Sequence, residues 1–128
     1  MLRLFLGVSA LIWLPYGLFC FFAPGYRDGA AGVMASTATG TTELRAMYGG
    51  LQAALGVLVA AAFFRPALQR PALFALAFLC AGLFMARLLG AVMALEFSDY
   101  TVVALLFEIL SSAFATRLLV APPGARPA

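Results

Sequence analysis

The chain has 128 residues, of which 65% are hydrophobic and only 10% are charged. About a quarter of the residues in a soluble globular domain are charged, so this composition excludes an ordinary soluble domain and indicates that lipid surrounds most of the surface. The formal net charge of +3 comes from arginines that are scattered singly along the chain. That distribution excludes a basic face for nucleic acid.

Several kinds of chemical site have no support in the sequence. The chain has no histidine, which is the commonest general base and metal ligand. It also shows no paired acids at catalytic spacing and no nucleophile with a visible base. Cys20 and Cys80 lie far apart in apolar stretches and are interpreted as small buried hydrophobic residues. We therefore predict that the protein is not an enzyme, with no catalytic residue, no metal site and no cofactor.

Four long apolar segments predict an all-α fold, an integral membrane bundle of four transmembrane helices that forms a single domain over residues 1–128. The first helix is predicted over residues 4–23, because a charge-free run of this length crosses the ~30 Å hydrocarbon layer at ~1.5 Å per residue. A cleaved signal peptide is the alternative, since Arg3 precedes the run, but the run is longer than a signal core. Residues 24–42 are predicted to form an outer loop that carries Arg27 and Asp28 and has room for a short interfacial helix.

The second helix is predicted over residues 43–64. Thr41 or Thr42 is expected to be its N-cap, and Glu43 lies in its first turn, where the helix dipole favours an acid. Pro66 and Pro71 are expected to keep the next connection non-helical, so the third helix is predicted over residues 72–95. A short acidic turn then leads into the fourth helix, predicted over residues 101–120.

Arginine placement predicts the orientation, because cytoplasmic loops near helix ends accumulate arginine and lysine. One side of the predicted bundle carries five arginines: Arg3, Arg65, Arg70, Arg117 and Arg126. With an even number of spans, this bias predicts both termini in the cytoplasm. The chain has neither lysine nor asparagine, and its bias toward arginine and alanine is typical of a GC-rich bacterial genome. The expected location is therefore the bacterial inner membrane, with the lipid bilayer as the first partner.

The stretch from Thr42 to Gly50, TELRAMYGG, is the most distinctive in the chain. It resembles the hallmark of a bacterial family of small four-helix membrane proteins, domain of unknown function 4345. The Tyr16-Gly17 pair, Pro24, and an arginine followed by a glycine in the third helix also resemble that family. The resemblance spans nearly the whole chain and implies a fold and a membrane location, but no activity, substrate or catalytic residue.

Two ionisable residues lie within predicted spans. Arg87 precedes Ala94 by seven residues and Glu108 follows Thr101 by seven, so both are expected ~10 Å below the outer surface. Because the third and fourth helices are antiparallel neighbours, we predict a buried Arg87–Glu108 ion pair, with Ser111 and Ser112 one turn below it. Such a pair can bind a ligand, or it can only fix helix register; the sequence leaves both open.

The second helix adds polar residues at the same depth. Arg45, Gly49, Gln52 and Gly56 share one helical stripe, with Tyr48 at its margin. If that stripe faces inward, one outward-opening pocket is lined by five residues: Arg45, Tyr48, Gln52, Arg87 and Glu108. Two arginines beside few acids suit an anionic head group or a carboxylate. Snorkelling of Arg45 to the interface, and simple packing of Tyr48, remain the alternatives.

Small residues recur every four positions on two of the predicted helices. The second helix carries Ala46, Gly50 and Ala54, and the third carries Gly82, Ala86 and Gly90. Spacing of this kind lets helix backbones approach closely in lipid. We predict that these six residues pack helices together, which also leaves a homodimer or a membrane-protein partner open.

The sequence supports two hypotheses about function. In the first, the protein binds or transports a small amphiphile or anion through a polar pocket in the outer half of the bundle, and protonation of Glu108 releases Arg87 to hold the ligand. In the second, it is a structural or accessory membrane subunit that packs against a partner protein. The buried ion pair then serves stability alone.

Overall fold

The computed structural model describes residues 1–121, and the regular secondary structure in that range is helical. Four helices are long and apolar enough to cross a membrane: Leu2–Phe22, Ala38–Phe64, Pro66–Ala94 and Asp99–Val120. This confirms the predicted all-α architecture with four membrane-length helices. The chain divides into two compact units, of which the first is Met1–Gln69 and the second begins at Arg70. Arg126, used above to predict the orientation, lies outside the described residues.

Helix α1 (Leu2–Phe22) packs along α4 (Leu51–Phe64) within the first unit. Its buried residues recur every three or four positions, as expected for one face of an α-helix: Leu6, Ser9, Trp13, Gly17 and Cys20. Pro15 lies inside the helix. The remaining positions are largely apolar and exposed, which suits a helix whose other faces meet lipid.

The predicted outer loop contains more helix than expected. A short helix, α2 (Tyr26–Ala31), ends at Gly32 in the left-handed conformation, and α3 (Ala38–Leu44) begins five residues before the predicted boundary at residue 43. The N-cap is Thr37, whose hydroxyl oxygen accepts a hydrogen bond from the Gly40 backbone N–H at 3.0 Å. The prediction of Thr41 or Thr42 as the cap was wrong, because those hydroxyls donate to backbone carbonyls one turn earlier in the helix.

A π-helical turn, Arg45–Gly50, joins α3 to α4 without a break. Its closing hydrogen bond runs from the Leu51 N–H back five residues to the Ala46 carbonyl. Such wide turns are rare and occur often at functional sites. This turn coincides with the last six residues of the TELRAMYGG stretch, RAMYGG.

The third and fourth spans also begin earlier than predicted. A 3₁₀ turn, Pro66–Leu68, leads directly into α5 (Gln69–Ala94). Pro71 does not delay the helix, because a first-turn proline lacks only an N–H that would have no intrahelical acceptor. Helix α6 (Asp99–Val120) is capped by Ser98, whose hydroxyl oxygen accepts from the Thr101 N–H at 3.3 Å.

Helix α5 ends in a Schellman-type turn at Leu95. The Glu96 N–H bonds to the Ala91 carbonyl at 3.1 Å, and the Leu95 N–H bonds to the Val92 carbonyl at 3.2 Å. Leu95 has a φ of 53°, a left-handed conformation in which a side chain crowds its own backbone. Its side chain is 89% exposed, so packing offers little compensation.

We expect Leu95→Gly to raise the free energy of unfolding by about 0.5–1 kcal/mol, because glycine adopts this conformation without steric strain. Equilibrium unfolding of the detergent-solubilised protein measures the change. Leu95→Ala is the matched control, since it keeps the Cβ and should gain little. Equal stability of the glycine and alanine variants would show that backbone strain at this position is not what glycine relieves.

Candidate functional site

Arg87 of α5 and Glu108 of α6 form the predicted ion pair in the second unit. The Arg87 Nε donates to both carboxylate oxygens of Glu108, at 3.0 and 3.1 Å, and Nη2 donates to Oε1 at 2.7 Å. The Glu108 side chain is 5% exposed and that of Arg87 27% exposed. Two guanidinium nitrogens thus meet one carboxylate, the geometry in which this pair is strongest.

Further polar contacts surround the pair in the same unit. The Arg87 guanidinium carbon lies 5.8 Å from the centre of the Tyr100 ring, close enough for a cation–π attraction. One turn beyond Glu108, the buried Ser112 hydroxyl donates to the Ala77 backbone carbonyl at 2.9 Å. These contacts fix the register of α5 against α6. They also neutralise both ionised groups within the protein.

Arg45 lies at the surface of the first unit. It is exposed, and its Nε donates to the Phe21 backbone carbonyl at 3.2 Å. Phe21 is among the last residues of α1, whose carbonyls have no partner within the helix. Arg45 therefore caps the C-terminal end of α1.

The most buried arginine of the described chain was predicted to lie in the outer loop. Arg27 of α2 is only 3% exposed. Its Nη1 donates to the Tyr16 hydroxyl, and its guanidinium carbon lies 4.1 Å above the centre of the Tyr48 ring. Tyr16 lies six residues before the end of α1, so the guanidinium reaches ~9 Å below that helix end.

Gln52 extends this group of polar residues along the second span. It follows Tyr48 by four residues and lies in the first turn of α4. Its side-chain Oε1 is buried and has no hydrogen-bond partner in the part of the chain that the structure describes. The backbone of Gln52 lies against Gly17, the neighbour of Tyr16. We call Arg27, Tyr16, Tyr48 and Gln52 the Arg27 cluster.

Three glycines bring α1 against the second span. A Cβ on Gly17 would lie 2.3 Å from the Ala53 backbone nitrogen, and one on Gly56 would lie 2.5 Å from the Leu14 nitrogen. A Cβ on Gly49, in the π turn, would lie 2.7 Å from Phe21 Cα. Such distances exclude any side chain. This close approach holds Tyr48 and Gln52 beside the tyrosine of α1.

The six residues predicted to pack helices do not include these three glycines. Ala46, Gly50, Ala54, Gly82, Ala86 and Gly90 are all exposed. A Cβ built on Gly82 or Gly90 would meet nothing within 4 Å among residues 1–121. On the second span, the glycines that touch α1 lie on the neighbouring stripe, at positions 49 and 56. That the six exposed small residues pack against another helix stays a prediction.

Within each unit, the structure shows which contacts the predicted pocket residues make. Arg87 and Glu108 meet in the second unit, while Tyr48 and Gln52 belong to the Arg27 cluster of the first and Arg45 caps α1. A separate cleft of about 140 Å³ in the first unit is lined by eight residues: Pro24, Gly25, Asp28, Val33, Met34, Ala35, Thr41 and Leu44. None of the five predicted pocket residues lines that cleft. Among the described residues, no three His, Cys, Asp or Glu side chains converge on a metal position.

Sequence reasoning missed Arg27 because it lies in a glycine- and alanine-rich segment without helical periodicity. Helix α2 has six residues, too few to show a buried face by spacing. The Tyr16-Gly17 pair gave a weak indication of the contact with Arg27. A tyrosine next to a close-packing glycine in the middle of an apolar span needs a partner for its hydroxyl, and the nearest arginine in the sequence after it is Arg27.

The chain matches one known protein family over nearly its whole length. The model of the family described as a domain of unknown function (DUF4345) matches residues 1–119, which include the first three membrane-length helices and nearly all of the fourth. Neither the curated proteins nor the solved structures gave a match. With its four membrane-length helices the chain is a multi-pass membrane protein, and it belongs to the DUF4345 family.

Proposed function

We propose that this protein binds or transports a small anionic amphiphile within the membrane and that the Arg27 cluster is the site that recognises it. The observation that carries the proposal is the burial of Arg27, 3% exposed, at a depth reached by the mid-helix residue Tyr16. Arg27 belongs to the short helix α2 and reaches this depth from outside the four spans. An ionisable side chain buried at membrane depth is costly and usually marks a ligand or ion site. The Tyr48 ring and the Tyr16 hydroxyl hold the guanidinium in place.

The proposed function includes a membrane and an orientation for the chain. We infer an inner-membrane protein of a bacterium with both termini in the cytoplasm, since arginines accumulate near the helix ends of one predicted side. With that orientation, the Arg27 cluster lies on the side of the outer leaflet. Anionic lipids or other amphiphiles that are confined to the bilayer could reach it laterally.

The proposal predicts that Arg27→Gln weakens binding of dioleoylphosphatidylglycerol by about 10- to 100-fold, the loss expected when a charge-assisted hydrogen bond is removed. Trp13 reports binding through its fluorescence, because it is the single tryptophan and lies about one turn before Tyr16. Titrations in detergent compare this anionic lipid with zwitterionic dioleoylphosphatidylcholine.

Arg45→Gln is the matched control, since it removes the same charge from an exposed arginine of the same unit. It should leave the affinity within about 3-fold, a change of under 1 kcal/mol. Arg27→Lys, which keeps the charge, serves if the glutamine variant does not fold; it should bind more weakly than the parent but still prefer the anionic lipid. Equal affinity of the parent for both lipids would refute the proposal.

A second candidate function has support in the other unit. The Arg87–Glu108 pair is already neutralised by three hydrogen bonds within the protein, which suits a role in stability alone. The small residues Gly82, Ala86 and Gly90 are exposed. Both features suit an accessory subunit that packs against another membrane protein or a second copy. Purification in a mild detergent separates the candidates, because an accessory subunit should remain in a stoichiometric complex.

A further inference from the structure

The side-chain oxygen of Gln52 is a buried acceptor without a donor. Its Oε1 makes no hydrogen bond within residues 1–121, although buried polar atoms in proteins nearly always have a partner. Leaving such an atom unsatisfied destabilises the folded state. A site that binds a ligand is one setting in which the missing partner comes from outside the chain.

Gln52 is placed to share a ligand with Arg27. It lies about one turn beyond Tyr48, just past the π turn, while the Arg27 guanidinium covers the Tyr48 ring at 4.1 Å. On the other side, Gly17 touches the Gln52 backbone, and the adjacent Tyr16 accepts a hydrogen bond from Arg27. The cluster thus combines a cationic donor with a neutral acceptor.

This combination selects among anionic ligands. A guanidinium offers only donors and binds an anionic oxygen, whereas the amide oxygen of glutamine can only accept. A phosphodiester without hydroxyl groups or a simple carboxylate supplies only acceptors and leaves Gln52 unsatisfied. Because an ammonium donor would bring a second positive charge beside Arg27, we infer that the ligand is an anion that carries a neutral hydroxyl group near its charge, such as a hydroxylated phosphodiester. The inference rests on the function proposed above and narrows its ligand class.

Two lipids of equal charge test the hydroxyl requirement. Dioleoylphosphatidylglycerol carries hydroxyls beyond its phosphate, and dioleoylphosphatidylethanol carries an ethyl group there instead. We expect the parent protein to bind the first at least about 10-fold more tightly in the Trp13 titration, because the second leaves a buried acceptor unpaired. Glycerol 1-phosphate and ethyl phosphate repeat the comparison without acyl chains, at about pH 8.5, where both phosphates are fully ionised and have no P–OH donor. Preference for glycerol 1-phosphate without lipid binding would identify a soluble anion as the ligand.

Gln52→Met is the variant that isolates the acceptor, since it keeps the length of the side chain and removes the oxygen. It should bind both lipids with similar affinity and still prefer them to dioleoylphosphatidylcholine. Arg27→Gln should lose the preference for both anionic lipids. If the parent binds phosphatidylethanol as tightly as phosphatidylglycerol, the hydroxyl inference is overturned while anion binding stands. If it prefers neither to phosphatidylcholine, and neither soluble phosphate binds, both proposals fail.

Discussion

Gly17→Ala is expected to lower the free energy of unfolding by about 3 kcal/mol, at the upper end of the range for an overpacked interior. The added Cβ would lie 2.3 Å from the Ala53 nitrogen and 2.8 Å from Ala53 Cα. Both are backbone atoms, so no side-chain rotation relieves the contact. Helix α1 must move away from α4, which loosens the close contact beside Tyr16. Equilibrium unfolding in detergent measures the loss.

Gly82→Ala is the matched control for that variant. A Cβ on Gly82 meets nothing within 4 Å in the described part of the chain, and alanine is the better helix former by about 1 kcal/mol. The control should therefore be neutral or slightly stabilising. If Gly17→Ala and Gly82→Ala unfold alike, the close approach of α1 and α4 is wrong.

Removing one member of the buried ion pair is expected to have a comparably large effect. Arg87→Ala or Glu108→Ala alone should lower the free energy of unfolding by about 3–5 kcal/mol, because each leaves an uncompensated charge in an apolar surrounding. The double variant should regain most of that loss. A double-mutant cycle measured by unfolding in detergent gives the coupling energy. The exposed charges Arg70 and Glu96 supply control variants that should change stability by less than about 0.5 kcal/mol.

The coupling energy of Arg87 and Glu108 also distinguishes the two proposed functions. Strong coupling means that the pair stabilises the second unit, which supports the accessory role for this part of the chain. If both single variants and the double variant remain as stable as the parent, the charges are not needed for folding. That result would contradict the interpretation of the pair as a stabilising contact. A ligand site at Arg87 and Glu108 would then become the better hypothesis.

The four spans and the ion pair were predictable because each depends on a local or near-local property. A charge-free run of about 20 residues predicts a membrane-length helix from length and composition alone. Helices α5 and α6 are joined by a short turn, so equal spacing from that turn placed Arg87 and Glu108 at one depth. Boundaries were less accurate: proline at position 71 fits within the first turn of a helix, and Thr37 rather than a later threonine caps α3.

The Arg27 cluster was not predictable, because its contacts join three segments that are distant in sequence. Arg27 meets Tyr16 across 11 residues and Tyr48 across the loop and α3. Which stripe of the second span packs against α1 was equally unpredictable. The second span carries small residues on two adjacent stripes, and only the structure shows that Gly49 and Gly56 lie directly against α1, whereas a Cβ on Gly50 would not approach α1 within 4 Å.

Native mass spectrometry of the protein released from membranes tests the central claim most directly. The parent should retain one anionic, hydroxyl-bearing amphiphile through delipidation in detergent, and Arg27→Gln should lose it under the same conditions while Arg45→Gln keeps it. Loss of every bound amphiphile from the parent as readily as from Arg27→Gln would contradict the claim that the Arg27 cluster is a ligand site.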